Sequence, residues 1–423
     1  MNTLRQIWYE AKHQPLLMWV SIGGTALAIF LVMTVFMLDS LPTAEVAPES
    51  NRSRILVGTY LDISSLDGSG NSSSFPAYAT AKQIYSDING VERISFTREM
   101  GQYGEKIPVS NDGTAQTDYD VTYVDNEFWN IFDFDFKSGK PFGKDAAGER
   151  VAVLQESVAE NVFGKTDPVG KTVQIAFVPY RVVGVVADVS PLLKNSYSDI
   201  YVPYIPESPE EMWDGLFGKT RVMLLKKEGV SDEKIKNEVK SRYERWNKDL
   251  KAEGVEAVYH QQPFDMLEQA SFFGSNNDPR PETVRHGKWW MYAILILLPA
   301  INISSMTRSR LRQRVSEIGV RRAFGATKAG ILWQFLTENL VMTFVGAVLG
   351  MVLSVLFCLF LSNLVVPVNF FDPVPYNPTF AMLFKWQIFL VAVGFCLVLN
   401  ILSTALPAWR ASRENPAEAI TGK

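Results

Sequence analysis

Three Gly-Lys-Thr triplets are the candidates for nucleotide binding by residue type. They begin at Gly164, Gly170 and Gly218. A phosphate-binding loop needs a further glycine five residues before the one that precedes the lysine, so that the backbone can wrap around the phosphates. Those positions hold Ala159, Lys165 and Trp213. The sequence therefore predicts no nucleotide site at any of the three triplets.

Residues suited to metal binding or hydrolysis are equally sparse. The histidines His13, His260 and His286 are scattered and lack the i, i+4 spacing of helical metal ligands. Asp133 and Asp135 lie in FDFDF, where alternating aromatic residues predict a half-buried strand with its acids in water. The chain has no G-x-S-x-G nucleophile elbow, and residues 39–287 contain no cysteine. We predict no catalytic residue, no metal site and no cofactor in this chain.

The most distinctive polar segment is residues 308–340, RSRLRQRVSEIGVRRAFGATKAGILWQFLTENL, which has seven basic and two acidic side chains. It lies between two long apolar runs, and basic residues in such a short connector indicate the cytoplasmic side. A helix continuing from the preceding run would end at Gly325, and Thr327 could cap the next helix. A plain basic turn that only fixes topology is one interpretation. Glu317 inside the basic run, together with an apolar stripe that no bilayer covers, favours a helix that docks into a groove on a partner protein.

Four apolar runs must position this segment, because a helix needs about 20 apolar residues to cross a bilayer. They predict transmembrane helices at residues 16–38, 288–306, 331–361 and 386–409, the third with an interfacial lead-in. With the connector 307–330 inside, residues 39–287 and a short loop 362–385 lie outside. The amphipathic N-terminal helix 1–15 and the tail 410–423 lie inside. The first run is longer than the apolar core of a signal peptide, so we expect it to stay attached.

The distribution of charge agrees with this topology. Residues 39–287 carry 39 acidic and 27 basic side chains, whereas the rest of the chain carries 6 acidic and 14 basic ones. The orientation is inferred mainly from the short basic connector, because large domains are translocated regardless of charge. Small residues within the spans, Gly23 and Gly24 in the first and the G-x-x-x-G pair Gly346 and Gly350 in the third, predict close helix packing within or between subunits.

The outer block, residues 39–287, shows one pattern twice. A strand, a helix and a Gly-Val-Glu that leads into another strand occur at 54–96 and again at 221–259. Gly90 and Gly254 suit the left-handed conformation that ends a helix. We predict two β-α-β units, residues 39–97 and 219–270, in one α+β subdomain. Residues 98–218 read as a mostly β insertion with a helix at 156–163.

Three separate stretches resemble the MacB/FtsX-type ABC transporter permeases. The family's coupling pattern, R-x-x-E-I-G-[IV]-R-[RK]-A-x-G-A with F-L-x-E shortly after, is matched by Arg314, Glu317, Ile318, Gly319, Arg321, Arg322, Ala323, Gly325, Ala326, Phe335, Leu336 and Glu338. Residues 407–420, PAWRASRENPAEAI, resemble the family's C-terminal ending, and residues 151–189 are similar to the MacB-type periplasmic core domain. The first span lacks the frequent G-I-x-I-G-V around its glycine pair.

The resemblance implies a dimer of four-span subunits in the bacterial inner membrane, with a large periplasmic domain. That domain has a porter-like β-α-β part, here 39–97 with 219–270, and a β-rich insertion at 98–218. A cytoplasmic ABC ATPase binds the coupling segment and supplies ATP and magnesium; no ATPase is fused here, so we expect it in trans. We expect as partners that ATPase, a second permease subunit (identical or different) and membrane lipid, but no nucleic acid. Whether a periplasmic adaptor or an outer-membrane protein is a further partner is left open.

The expected function is transmission of ATP-driven motion to the periplasmic domain, for export or for handling a periplasmic substrate. By the resemblance, the ATPase contact comprises Arg314, Glu317, Ile318, Gly319, Arg321, Arg322, Gly325 and Ala326. The alternative is a membrane receptor whose outer domain binds a ligand and which signals through the basic connector without an ATPase partner.

Overall fold

The structure is a computed structural model. It describes residues 15–101, 105–111, 116–146, 148–209, 211–212, 215–271, 278–279, 282, 286–293, 297, 324–361, 378–383, 386–387, 389–391, 393–394 and 397–398. These residues form two units: a helical unit, from residues 15–41 and those from 286 onward, and an outer unit, residues 42–282. The predicted N-terminal helix and the C-terminal tail lie outside the described residues, except for Pro15.

The helices with defined bounds are α1 (Pro15–Ser40), α2 (Tyr78–Tyr85), α3 (Phe128–Ile131), α4 (Glu156–Phe163), α5 (Asp232–Leu250), α6 (Met266–Ser271), α7 (Lys328–Phe360) and α8 (Phe380–Leu383). Short 3-10 turns occupy Leu41–Thr43, Arg52–Arg54, Lys144–Ala146 and Lys251–Glu253.

Fifteen strands are defined among the described residues. They are β1 (Ile55–Gly58), β2 (Leu61–Ser65), β3 (Asn71–Pro76), β4 (Val91–Glu99), β5 (Ile107–Ser110), β6 (Thr117–Tyr119), β7 (Val121–Val124), β8 (Phe136–Gly139), β9 (Val151–Gln155), β10 (Thr172–Ile175), β11 (Val178–Val186), β12 (Ile200–Pro203), β13 (Phe217–Gly218), β14 (Arg221–Lys226) and β15 (Val255–Val258).

Within the described residues, two helices are long and apolar enough to cross a membrane. These stretches are Met18–Ser40 in α1 and Leu340–Phe360 in α7. They coincide with the first and third predicted spans. The predicted spans at 288–306 and 386–409 are described only in pieces, and the described pieces are helical. The four-span arrangement therefore stays a prediction.

The outer unit contains one large mixed sheet and one small sheet. The large sheet has the order β1-β14-β4-β7-β12-β9-β11-β10-β5-β6, with β8 paired to β11; the small one has the order β13-β3-β2-β15. The pairs β9–β11 and β7–β12 are parallel, and the other pairs are antiparallel. The β4–β7 pairing makes the large sheet continuous from the predicted β-α-β region into the predicted β-rich insertion.

One hydrophobic core draws on both ends of the outer block. It combines Leu56, Leu61 and Ile84 from the first end with residues of β14, α5 and β15 from the second. The buried face of α5 consists of Ile235, Val239, Tyr243, Trp246 and Leu250, three or four residues apart along one side of the helix. This spacing explains why a helix with otherwise charged side chains packs onto the sheet.

The first predicted β-α-β unit contains β1, α2 and β4, but the antiparallel pair β2–β3, which was not predicted, lies between β1 and α2. The second unit does not close on the same sheet. Strands β1 and β4 both pair antiparallel with β14 and are therefore parallel to each other across it. Strand β15 instead pairs with β2 in the small sheet. Both sides of β14 are occupied by β1 and β4, and Val57 at the outer edge of β1 bridges to Phe264. No place beside these strands is left for β15.

Several predicted boundaries change for local reasons. FDFDF is not a strand, because pairing begins only at Phe136, although Asp133 and Asp135 are exposed as expected. Within the predicted β-rich insertion, strand β10 ends at Ile175, since Ala176 and Phe177 form a turn with φ of 50° and 64°. The helix at 156–163 is confirmed, and Gly90 and Gly254 have positive φ as predicted.

Candidate functional site

The predicted ATPase-contact segment is described only at its C-terminal end. Arg314, Glu317, Ile318, Gly319, Arg321 and Arg322 lie outside the described residues. Gly325 and Ala326 are described and exposed, and the neighbouring Phe324 side chain is 88% exposed. Gly325 has φ of +93°, a left-handed conformation that suits glycine at a break before a helix.

The helix after this break begins as the sequence predicts. Thr327 is the N-cap of α7, and its side-chain oxygen accepts a hydrogen bond from the backbone N–H of Gly330 at 3.1 Å. From there α7 continues without interruption for 33 residues. At about 1.5 Å per residue this is roughly 50 Å, longer than a hydrocarbon core of about 30 Å. The lead-in and the apolar span thus form one rod that starts three residues after Gly325.

Two glycines of α7 make a close contact with α1. A Cβ atom at Gly346 would lie 2.9 Å from Cβ of Thr25, and one at Gly350 would lie 2.6 Å from the backbone oxygen of Ala26. Small residues at such a crossing let helix backbones approach and gain dispersion contacts in the membrane. The rings of Phe30 and Phe357 extend the contact edge to face, with centroids 5.4 Å apart.

The glycines of the first span are placed differently. An added Cβ at Gly23 would meet nothing within 4 Å, so this residue makes no close packing contact with the described part of the chain. Gly24 is half-buried. The structure therefore brings Gly346 and Gly350 together with Thr25 and Ala26, and it does not bring Gly23 to that contact.

Charged residues at the ends of two predicted spans form a cluster that sequence reasoning missed. The Asp39 carboxylate, in the last turn of α1, pairs with the Lys288 ammonium group and accepts a hydrogen bond from the Tyr292 hydroxyl. The Tyr292 ring stacks on Phe36, with centroids 4.8 Å apart and planes 5° apart. The available signal was an acid just after one apolar run and a base at the start of the next.

The chain enters the outer unit through a segment held by a buried ion pair. Arg52 Nε lies 3.0 Å from Glu49 Oε2, and the two side chains are 5% and 0% exposed. Glu49 Oε1 accepts hydrogen bonds from the backbone N–H groups of Asn195 and Ser196. Burial raises the pKa of the Glu49 carboxyl, and Arg52 opposes that rise. The stretch 41–51, which follows α1, is thus docked at its far end.

A histidine between two carboxylates lies near the C-terminal end of the outer unit's sequence. His260 Nε2 is 2.5 Å from Asp62 Oδ2, and Nδ1 is 3.0 Å from Asp278 Oδ1. Among the described residues, no group of three His, Cys, Asp or Glu side chains is arranged to hold a metal ion. The histidine connects Asp62 of β2 to Asp278 by polar contacts.

Asp125 connects two neighbouring strands of the large sheet. It follows β7, and its carboxylate accepts hydrogen bonds from Ser95 Oγ at 2.7 Å, from the Phe96 N–H at 2.8 Å and from the Phe128 N–H at 3.0 Å. Burial raises the pKa of Asp125 to about 6 despite these three donors. This carboxyl lies where the predicted β-α-β region meets the predicted insertion.

With this geometry in place, the comparisons with known proteins identify the family. Residues 18–242 match the family described as MacB-like periplasmic core domain, and residues 289–416 match the one described as FtsX-like permease C-terminal. The chain belongs to the MacB/FtsX-type ABC transporter permeases. The first match alone covers more than half of its length.

Relatives of this permease include single-function and fused proteins. The ABC transporter permease YknZ of Bacillus subtilis strain 168 is 24% identical over 371 residues, which cover 84% of this chain and 86% of YknZ. The macrolide export ATP-binding/permease protein MacB 2 of Aeromonas hydrophila is 24% identical over 318 residues, 71% of this chain. The permease spans only 43% of that protein's length.

The solved periplasmic region of MacB from Actinobacillus actinomycetemcomitans is also similar. It matches 52% of this permease and 96% of its own chain, with a TM-score of 0.34 and 16% identity. At that level the similarity implies no shared activity.

Proposed function

We propose that this permease transmits ATP-driven motion from a separate cytoplasmic ATPase to its outer domain. It would do so as a four-span subunit, in a dimer, in a bacterial inner membrane. Export, or handling of a substrate in the periplasm, would be the work performed by that motion. Family membership supports the permease assignment.

The observation that best supports transmission is the uninterrupted helix α7. It begins at the Thr327 cap, directly after the exposed break at Gly325, and continues through the apolar stretch to Phe360. A displacement applied at the coupling segment would act on the end of a rigid rod, because each helical hydrogen bond resists bending. The glycine contact with α1 then offers a second helix to which the displacement can pass.

The proposed contact residues are Arg314, Glu317, Ile318, Gly319, Arg321, Arg322, Gly325 and Ala326. A carboxylate among guanidinium groups gives an electrostatic pattern that a complementary groove can recognise. Substitution of Glu317 by arginine reverses one charge of that pattern, and substitution of Gly319 by tryptophan adds bulk to the docking face.

The test is co-purification of the affinity-tagged permease from its native host, with mass spectrometry of what it retains. An ABC ATPase should co-purify with the unaltered chain. Glu317→Arg and Gly319→Trp should each lower its recovery and its permease-stimulated ATP hydrolysis by at least about tenfold, as expected for loss of a central contact. Glu233→Arg, on the exposed side of α5, is the matched control and should change neither.

Undiminished ATPase recovery and stimulation in both folded coupling variants would refute the contact assignment. Recovery of a kinase or signalling adaptor in place of an ATPase would instead favour the receptor interpretation.

A further inference from the structure

The cluster at the outer end of α1 joins two chain segments that are far apart in sequence. Lys288 and Tyr292 are four residues apart on a helical stretch, residues 286–293, and so lie on the same face. The Asp39 carboxylate contacts both residues. Its Oδ1 pairs with the Lys288 ammonium group, and its Oδ2 accepts a hydrogen bond from the Tyr292 hydroxyl. Both acceptor atoms of one side chain are therefore used to hold one neighbouring helix.

A second, apolar contact reinforces the polar one. Phe36 is three residues before Asp39 and lies on the same face of α1, where its ring stacks on Tyr292. The side chains of Asp39 and Lys288 are 25% and 29% exposed, so the ion pair is partly shielded from water. Shielding strengthens a charge pair relative to one at the open surface, where the contribution is small. Separation of the two helix ends would break an ion pair, a hydrogen bond and a ring stack together.

The position of this cluster along the chain gives it significance. Asp39 lies just before residue 42, where the chain enters the outer unit, and Lys288 lies just after residue 282, the last described residue of that unit. Both covalent connections to the outer domain therefore start at helices held together by the cluster. If those helix ends could separate freely, motion of one would reach the outer domain through one connection only.

We propose that Asp39, Lys288 and Tyr292 form a coupling clasp, which makes the two helix ends move together and pushes or pulls both connections to the outer domain at once. This inference rests on the proposed function and deepens it. The three residues are positioning residues, because they act through the two helices that they hold together. Loss of the clasp should therefore leave ATPase binding unchanged and reduce only the response of the outer domain.

The experiment measures that response within one chain. Spin labels are placed on cysteines at Trp19, in α1, and Ser69, in an exposed turn of the outer unit, after Cys358 and Cys396 have been replaced by alanine. Labelled permease is mixed with excess unlabelled permease and reconstituted with the ATPase in nanodiscs. Double electron–electron resonance then records the distance with ADP and with ATP plus vanadate.

Charge reversal and rescue test the clasp. Asp39→Lys or Lys288→Asp alone should reduce the nucleotide-dependent gain in the ratio of shifted to unshifted distances at least about fivefold, because losing a pair worth about 1 kcal/mol changes an equilibrium constant by that factor. The double variant, which restores a pair of opposite orientation, should recover most of the change. Reversal of the exposed pair Asp135 and Lys137 is the matched control and should leave the change intact.

Each outcome decides between the two levels of the proposal. No nucleotide-dependent change in the unaltered complex would overturn the proposed function and the clasp with it. A normal change in both single reversals, with ATPase still co-purified, would overturn the clasp alone. If the reversals fail to assemble, Lys288→Met and Tyr292→Phe replace them, and an unaltered distance change in both would refute the clasp.

Discussion

At the scale of single residues, buried charge holds the segment through which the chain enters the outer unit. Arg52 Nη2 also donates to the Leu192 carbonyl at 3.3 Å, so the guanidinium group connects residues 49 and 192 as well as compensating the carboxylate. The loop 192–196 supplies both backbone donors to Glu49. A small number of polar side chains thus fixes a segment that would otherwise be a loose tether.

Removal of one member of this pair should be costly. Arg52→Met leaves the Glu49 carboxylate buried without its cation, and we expect the outer unit to lose about 3 kcal/mol of unfolding free energy. The measurement is urea unfolding of the purified protein, followed by tryptophan fluorescence. The double variant Glu49→Gln with Arg52→Met should lose less than Arg52→Met alone, because no charge is then left uncompensated. An equal loss in both would show that packing, and not charge, stabilises the segment.

The raised pKa of Asp125 predicts a pH dependence. Its pKa is about 6 in the folded protein and about 3.8 when exposed, so the folded state holds the proton more tightly. Stability from this group is therefore fully present below about pH 4 and is lost as the pH rises through about 6, by on the order of 1 to 3 kcal/mol. Thermal unfolding from pH 4 to 7 should show this loss, and Asp125→Asn should remove it. Asn in place of the exposed Asp133 is the control; a slope that persists in Asp125→Asn would contradict the assignment.

Residue-level prediction from sequence succeeds where the cause is local. Thr327 and Gly325 were identifiable because a cap and a left-handed break depend on neighbouring residues only. The turn at Ala176 and Phe177 was missed, because positive φ normally selects glycine or asparagine and neither is present there. The contact between Asp39 and Tyr292 joins residues 253 positions apart, and no periodicity in the sequence records such a pairing.

At the scale of elements, the strand order shows the limit of pattern reasoning. The repeated strand-helix-strand pattern correctly located β1, α2, β4, β14, α5 and β15. It did not reveal that β15 joins the small sheet, because the pattern carries no information on which edges other strands already occupy. Asp120 separates β6 from β7, a division that the sequence pattern did not show. Local pattern defines elements, whereas competition for sheet edges decides their partners.

The helix pair α1 and α7 yields a prediction at the same scale. In Gly350→Ala the new Cβ would be 2.6 Å from a backbone oxygen of Ala26, which cannot rotate away, so the helices must separate. We expect a loss of about 1 to 3 kcal/mol, typical of overpacking. The measurement is the fraction of monodisperse protein left after heating in detergent.

Gly23→Ala is the control for this contact, because an added Cβ there has open space. It should be neutral or slightly stabilising, by up to about 1 kcal/mol from helix propensity. Equal melting of Gly350→Ala and the unaltered protein would mean that the close approach of α1 and α7 does not contribute to stability.

At the scale of the whole molecule, three features suit force transmission. The rod α7 starts beside the proposed ATPase contact, and the glycine contact joins it to α1. Asp39, in the last turn of α1, holds the helical stretch 286–293 through Lys288. Each feature is a firm connection where a flexible one would lose displacement. The proposal predicts that a flexible point anywhere along this route abolishes the response of the outer domain to ATP while the permease and the ATPase stay assembled.

A proline in the lead-in of α7 tests that prediction. Thr337→Pro removes the hydrogen bond to the Trp333 carbonyl and kinks the helix, at a local cost of about 3 kcal/mol. Because the coupling segment lies before the kink, the ATPase should still co-purify, while the nucleotide-dependent distance change between positions 19 and 69 should be lost. Thr337→Ala removes the same side chain and keeps the helix, so it should retain both. A full distance change in Thr337→Pro would mean that motion reaches the outer domain by a route other than the continuous rod.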